Sequence, residues 1–252
     1  MPLLIQWRFV LAPSDTRSPL VLESMRQIVG HQPDLAADTL EILGDMYGAG
    51  ELYGTDSPEL IKINPKIGIN IAEGSVVHKC IRDFSLKRTL EVGFGYGFST
   101  VWILDALRNQ EGASHFAMDP FELSHWHGIG VKQTERLKGI THFTWKEEYS
   151  IHCMSEIIRT GEKFDFVYLC GAQRFDDVLL NFFMADQLLR PKGIIALDDI
   201  WLNAAKTVLS FIATNRSYEQ ITQPSKSIAL LKKLNDDNRP WNHYVPFEVY
   251  PK

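Results

Sequence analysis

Three groups of residues have types and spacing that could do chemistry. The first is Leu90–Thr100, LEVGFGYGFST, where an apolar run hands over to a helical one. Gly93, Gly95 and Gly97 lie at alternate positions, so the backbone can turn tightly and approach a ligand. A helix beginning near Ser99 would aim its N–H groups at that ligand. A dinucleotide fingerprint wants G-x-G-x-x-G, but here the third glycine comes one residue early and Phe98 holds the later place. That spacing speaks against a nicotinamide cofactor, and the absence of a basic residue from the loop speaks against a pyrophosphate. The second group is Asp119, which closes the next strand-like run. A carboxylate about twenty residues beyond such a loop takes ribose hydroxyls. Loop and acid together imply a ligand with a ribose.

The third group lies at the ends of two later apolar runs. In FDFVYLCGAQRFDD the run stops at Cys170, turns through Gly171 and presents Gln173 and Arg174. KGIIALDDI ends in Asp198 and Asp199. Carboxyl ends of strands in an open α/β sheet are where ligands bind. Cys170 reads as an inert buried thiol, with nothing cationic adjoining it except Arg174. Asp198 could orient a substrate amine or hydroxyl, Asp199 is placed to cap the following helix, and Trp201 to wall a pocket. His125 and His127 flank Trp126 just beyond the second strand. An imidazole titrates near neutral pH and suits general-base work; each could equally be a hydrogen-bonding wall. Tyr96 and Tyr149 are candidate pocket rings, because a cation is attracted to aromatic faces. Phe98 reads as packing and His78 as structural.

Elements must bring these residues together. From Thr89 onward, strand-like and helical runs alternate: RTLEVGF, SHFAMDP, THFTWKE, KFDFVYLC and KGIIALDDI, with helices between. Near-continuous apolar strands indicate a parallel sheet buried on both faces. YEQIT and SIALLKKL, separated by QPSK, add a hairpin. The fold expected is α/β, a doubly wound Rossmann-like sheet with a reversed edge strand. SPLVLESMRQIVG and PDLAADTLEILGDMYG are helical and glycine-terminated, and GAGELYGTDSPELIKINPKIG is rich in turn residues. These give a division into a helical cap or lid at 1–70 and a ligand-binding domain at 71–252.

Composition sets the class. Of 252 residues, 45% are hydrophobic and 23% charged, as for a soluble globular protein. A net charge of −5 with scattered basic residues excludes a nucleic-acid footprint. Three cysteines give neither a disulfide framework nor a metal knuckle, and imply a reducing cytoplasm. MPLLIQWRFVLAP is broken by Gln6, Trp7 and Arg8, so it is not read as a signal peptide; its apolar start could form a homodimer contact. No run reaches the roughly 20 apolar residues that span a bilayer.

With E-x-G-x-G-x-G on the first strand and an acid ending the second, the chain resembles the class I S-adenosylmethionine (SAM) methyltransferases from Glu73 to about Lys233. DPFELSHWHGIGVKQTERLKG and FDDVLLNFFMADQLLRPKGIIALDDIWLNAAKTVLSFIATN are similar to a bacterial small-molecule branch, distantly like catechol-type O-methyltransferases. The resemblance implies seven strands in the order 3-2-1-4-5-7-6, the last antiparallel. It implies that SAM is the cofactor. Glu91, Gly93 and Gly95 would face its methionine part, Ser99 its carboxylate and Asp119 its ribose. Phe121 would lie beside the adenine, Ser150 would line the adenine pocket, and Cys170 would stand beside the sulfonium. Catechol-type enzymes hold a metal with an Asp ending strand four and an acidic pair ending strand five. The D-G-x-H pattern of the family has here become Cys170-Gly171-Ala172-Gln173, and a thiol serves Mg²⁺ poorly, so no metal site is expected. His125, His127, Asp198, Gln173 and Tyr149 remain to handle an acceptor. The resemblance implies methyl transfer to a small molecule in specialised metabolism. Two alternatives stay open. The SAM amino group could attack its own γ-carbon, releasing methylthioadenosine and a cyclic amino acid of the azetidine-2-carboxylate type. Or the chain could bind SAM without turnover.

Overall fold

A computed structural model describes residues 17–55, 57–140, 142–221 and 227–249. Two helices come first, α1 (Pro19–His31) and α2 (Ala37–Gly48). Strands β1 (Glu51–Tyr53) and β2 (Leu60–Lys62) pair antiparallel, and α3 (Ile71–Asp83) follows. The glycine-rich stretch expected as loop thus holds a short hairpin. Asn70 starts α3 through a reciprocal capping box with Glu73, which satisfies two N–H groups at the helix start.

Strand–helix alternation then runs from β3 (Arg88–Val92) and α4 (Phe98–Leu107) to β4 (Ser114–Met118) and α5 (Ile129–Thr134). It continues through β5 (Phe143–Lys146), α6 (Ser150–Thr160), β6 (Phe164–Leu169), α7 (Phe175–Leu188), β7 (Leu189–Leu197) and α8 (Asn203–Asn215). The last two strands are β8 (Tyr218–Ile221) and β9 (Ala229–Lys233), on either side of QPSK, which lies outside the described residues. The seven-stranded sheet has the order β5-β4-β3-β6-β7-β9-β8. Counted within the sheet this is 3-2-1-4-5-7-6, with β9 antiparallel to both neighbours, as the resemblance implied.

All six residues of β6 are buried, which is why FDFVYL is an unbroken apolar run apart from Asp165. Alternation sends Phe166 and Tyr168 to one face and Val167 and Leu169 to the other. The first face is covered by α3 and α4, and the core there continues into the cap through Ile28, Leu43 and Met46. Thr39 of α2 and His78 of α3 both bond Asp105 of α4, at 2.7 and 2.9 Å, so His78 is structural. The opposite face is covered by α7 and α8 through Phe182, Leu188 and Val208. Among the described residues no helix is long and apolar enough to cross a membrane. The apolar start MPLLIQWRFVL lies outside the described residues.

Candidate active site

The five residues between β3 and α4 form a loop pressed between the end of β6 and the start of α5. Gly93 has φ +95°, and a Cβ there would stand 2.8 Å from the carbonyl oxygen of Cys170. Gly97 has φ +81°, serves as N-cap of α4, and leaves 2.9 Å between a notional Cβ and Cα of Gly130. Side chains are excluded at both ends by backbone rather than by movable groups. Glu91, two residues earlier, is wholly enclosed. Its carboxylate accepts from the Ser99 hydroxyl, from Thr100 Oγ1 at 2.6 Å and from His115 Nε2 at 3.0 Å. Glu91 and Ser99 are therefore brought together, but as partners of each other beneath the loop.

Asp119 follows the end of β4. It accepts from the N–H of Gly95 at 3.1 Å, the N–H of Phe121 at 2.9 Å and the indole of Trp126 at 3.3 Å. Burial raises its carboxyl above the usual range, and these donors pull the other way. Phe121 and Tyr149, both about half exposed, meet edge to face at 6.0 Å. Ser150 opens α6 and donates to Asn181 Oδ1 at 2.7 Å. Tyr96 packs against Trp126 at 4.9 Å between ring centres. These residues fit an adenosyl group: an acid beside the loop for ribose hydroxyls, two exposed rings for a base, and a cradle that only glycine backbone leaves open.

The second half of the site lies at the ends of β6 and β7. Tyr168 donates to Asp198 Oδ2 at 2.5 Å, and the Cys170 thiol stands beside the same carboxylate. The N–H of Asp199 donates to Asp198 Oδ1 at 2.8 Å. Burial pushes Asp198 up to about 6, against the pull of Tyr168, Cys170 and the Asp199 N–H. Burial likewise raises the Cys170 thiol well above its ordinary value, which suits an inert cysteine. Asp198 opens onto a cleft of about 620 Å³, lined also by Asp199, Trp201, Tyr47, Asn70 and Glu73. Trp201 is a wall of this cleft, its indole donating to Asp199 at 2.9 Å. Asp199 does not cap α8: it has φ +53°, and the N-cap is Leu202, without a side-chain bond.

Gly93, Cys170 and Asp198 thus form one line from the loop to the cleft. The other acceptor candidates stand apart from it. None of His125, His127, Gln173 and Tyr149 lines the cleft. His125 is exposed and packs on Trp126 at 4.6 Å. His127 has φ +57°, and its carbonyl accepts the N–H of Thr55 at 3.1 Å, docking the hairpin. Gln173 Oε1 is buried without a hydrogen-bond partner. Among the described residues, no group of three or more His, Cys, Asp or Glu is placed to hold a metal ion. Tyr168, His115, Thr100 and Asn181 were not singled out from sequence. Two of them had a signal: strand alternation puts Tyr168 on the face of Cys170, and Thr100 adjoins Ser99.

A family model described as a methyltransferase domain matches residues 90–200, from the strand before the glycine loop to the residues after Asp199. Residues 90–200 are a methyltransferase domain. The fold agrees. The methyltransferase domain and its flanks are similar to the O-methyltransferase TomG from Streptomyces achromogenes, involved in tomaymycin synthesis and solved with SAM. Identity is 19%, the TM-score 0.56, and 68% of this chain and 83% of that one are covered. An O-methyltransferase from Bacillus cereus, solved with S-adenosylhomocysteine (SAH), is 17% identical with a TM-score of 0.55, covering 88% and 91%. A protein from Klebsiella pneumoniae described as an O-methyltransferase is 14% identical with a TM-score of 0.60, covering 83% and 95%. No curated protein sequence matches the chain. The methyltransferase domain on this sheet bears out the class I reading of the glycine loop, and SAM is the cofactor of that class.

Proposed function

We propose that this chain moves a methyl group from SAM to a small-molecule acceptor in the cleft beside β7, without a metal ion. The observation that carries this is the position of Cys170. Its backbone walls Gly93 of the cofactor loop, and its side chain reaches Asp198 at the cleft. When bound, SAM supplies a methyl carbon made electrophilic by a sulfonium. The chain must then exclude water, aim the acceptor and take its proton. Aiming alone is worth roughly 7–11 kcal/mol in favourable intramolecular models. Asp198, held near 6, is a carboxylate at neutral pH and lies where it can accept a proton from a hydroxyl or amine in the cleft. Tyr168 and the N–H of Asp199 fix its direction. A thiol at the end of β6 is a soft group that suits Mg²⁺ poorly, which supports metal-free alignment.

Three free thiols support a reducing, cytoplasmic setting. Specialised metabolism is our reading of the acceptor's origin, in line with the fold shared with TomG of tomaymycin synthesis. The test is incubation with SAM, with and without a panel of phenols and amines, following SAH by mass spectrometry. Acceptor-dependent SAH that survives a chelator is the expected result. No SAH binding by calorimetry would sink the reading, and methylthioadenosine from SAM alone would replace it with self-cyclisation. Activity lost to a chelator and restored by Mg²⁺ would refute the metal-free part.

A further inference from the structure

His115 of β4 is enclosed, and no step above uses it. Its Nε2 lies 3.0 Å from Glu91 Oε2, and its Nδ1 lies 2.8 Å from Thr89 Oγ1. Its ring stacks on Phe143 with centres 5.5 Å apart. Thr89 and His115 are register partners across β3 and β4. The other donors to Glu91, Ser99 and Thr100, stand in the first turn of α4. One carboxylate therefore ties the strand entering the glycine loop to the helix leaving it. Its third donor comes from the strand that delivers Asp119, and Asp119 holds the N–H of Gly95 within the loop.

An enclosed carboxylate that loses a donor costs more than the net worth of one hydrogen bond, because its desolvation goes uncompensated. Of the three donors, two sit on the helix and one on the sheet. Among the described residues the imidazole is the one side chain of β4 that bonds the Glu91 carboxylate, so without it the first turn of α4 loses its fixed reference. We propose that His115 is a positioning residue for the cofactor loop, acting through Glu91. It fixes the carboxylate against β4, so that Ser99, Thr100 and the intervening loop keep their cofactor-binding shape. Glu91 on this view anchors the loop and does not contact the methionine part. The binding half of the test rests on the proposed function; the exchange half does not.

His115→Gln keeps an N–H donor that reaches as far as Nε2, whereas His115→Asn keeps polarity but falls short. Two quantities decide the matter. One is the Kd for SAH by calorimetry. The other is amide hydrogen exchange at Gly95 and Gly97 in ligand-free protein, compared with Val167 and Ile195 in the central strands. His115→Gln should stay within about threefold of the parent on both. His115→Asn should weaken SAH about tenfold or more, as for a lost bond to a charged group, and should speed exchange at Gly95 and Gly97 alone. Wild-type affinity in His115→Asn overturns the proposal. So does an equal rise in exchange across loop and sheet, or a His115→Gln protein as impaired as His115→Asn. If His115→Asn does not fold, Thr89→Val takes its place, since it leaves the imidazole in position and removes the hydroxyl beside Nδ1, which otherwise bonds only the Ser114 carbonyl at 3.2 Å. It must speed exchange in the loop alone, and an unchanged loop overturns the proposal. A parent protein that fails to bind SAH sinks the proposed function, while the exchange contrast still decides the role of His115.

Discussion

Glu122, three residues after Asp119, has no exposed surface. Its Oε1 accepts the N–H of Val131 at 3.3 Å, and its Oε2 has no hydrogen-bond partner. Burial is the main reason its carboxyl is pushed from 4.5 to about 8, with the charges of Asp119, Glu147 and Glu91 adding to the rise. At neutral pH the folded chain keeps this proton, whereas the unfolded chain has given it up. Stability is thus lost as pH rises from about 4.5 towards 8, on the order of 1 kcal/mol per pH unit. By pH 7 the loss is about 3 kcal/mol. Glu122→Gln keeps the shape of the protonated acid and removes the titration. It should be more stable than the parent by about 3 kcal/mol at pH 7, with little gain at pH 5. Urea unfolding of both proteins at pH 5, 6, 7 and 8 measures the gap. Parallel pH profiles would refute the reasoning, because they would mean that Glu122 is solvated or paired in the folded chain.

Asp119→Ala should abolish SAH binding by calorimetry while leaving the circular dichroism spectrum unchanged. Asp198→Asn should lower turnover by about 10²–10⁴-fold, the range for a lost general base, with SAH affinity retained. In the parent, turnover should rise through about pH 6 as Asp198 ionises and then level off; a flat profile across that range would exclude Asp198 as the proton acceptor. Cys170→Ser should leave turnover largely intact, since a hydroxyl can still donate to Asp198; loss of activity in a folded protein would mean that the thiol does more than orient.

The fold was readable because β6 and the second half of β7 are near-continuous apolar runs, β3 and β4 are short strand-like runs ending at turn residues, and helical runs lie between them. The cofactor half was readable for a related reason. A loop that must approach a ligand requires glycine at particular places, and Gly93 and Gly97 are enforced by backbone contacts. The acceptor half was less so. His125 and His127 have suitable chemistry, but the sequence does not say that neither lines this cleft, nor that the carbonyl of His127 accepts from Thr55. Tyr168 looked like core because it is core. Only the pairing of β6 with β7 puts its hydroxyl on Asp198. His115 was hidden in the same way, inside a strand whose partner strand carries Glu91.

The stretch from Gly54 to Glu73 has a consequence for how the two halves are joined. At its start, Thr55 grips the carbonyl of His127, and Gly54 lies so close to it that no side chain would fit. At its end, Ile69–Glu73 borders the acceptor cleft, and Gly68 packs against Phe98 at the first residue of α4. Acceptor side, helix start and cofactor side therefore share a single covalent strap. The same continuity makes this strap the natural unit to exchange when acceptor choice is to be altered: it carries one wall of the cleft and leaves the glycine loop, Asp119 and Asp198 untouched.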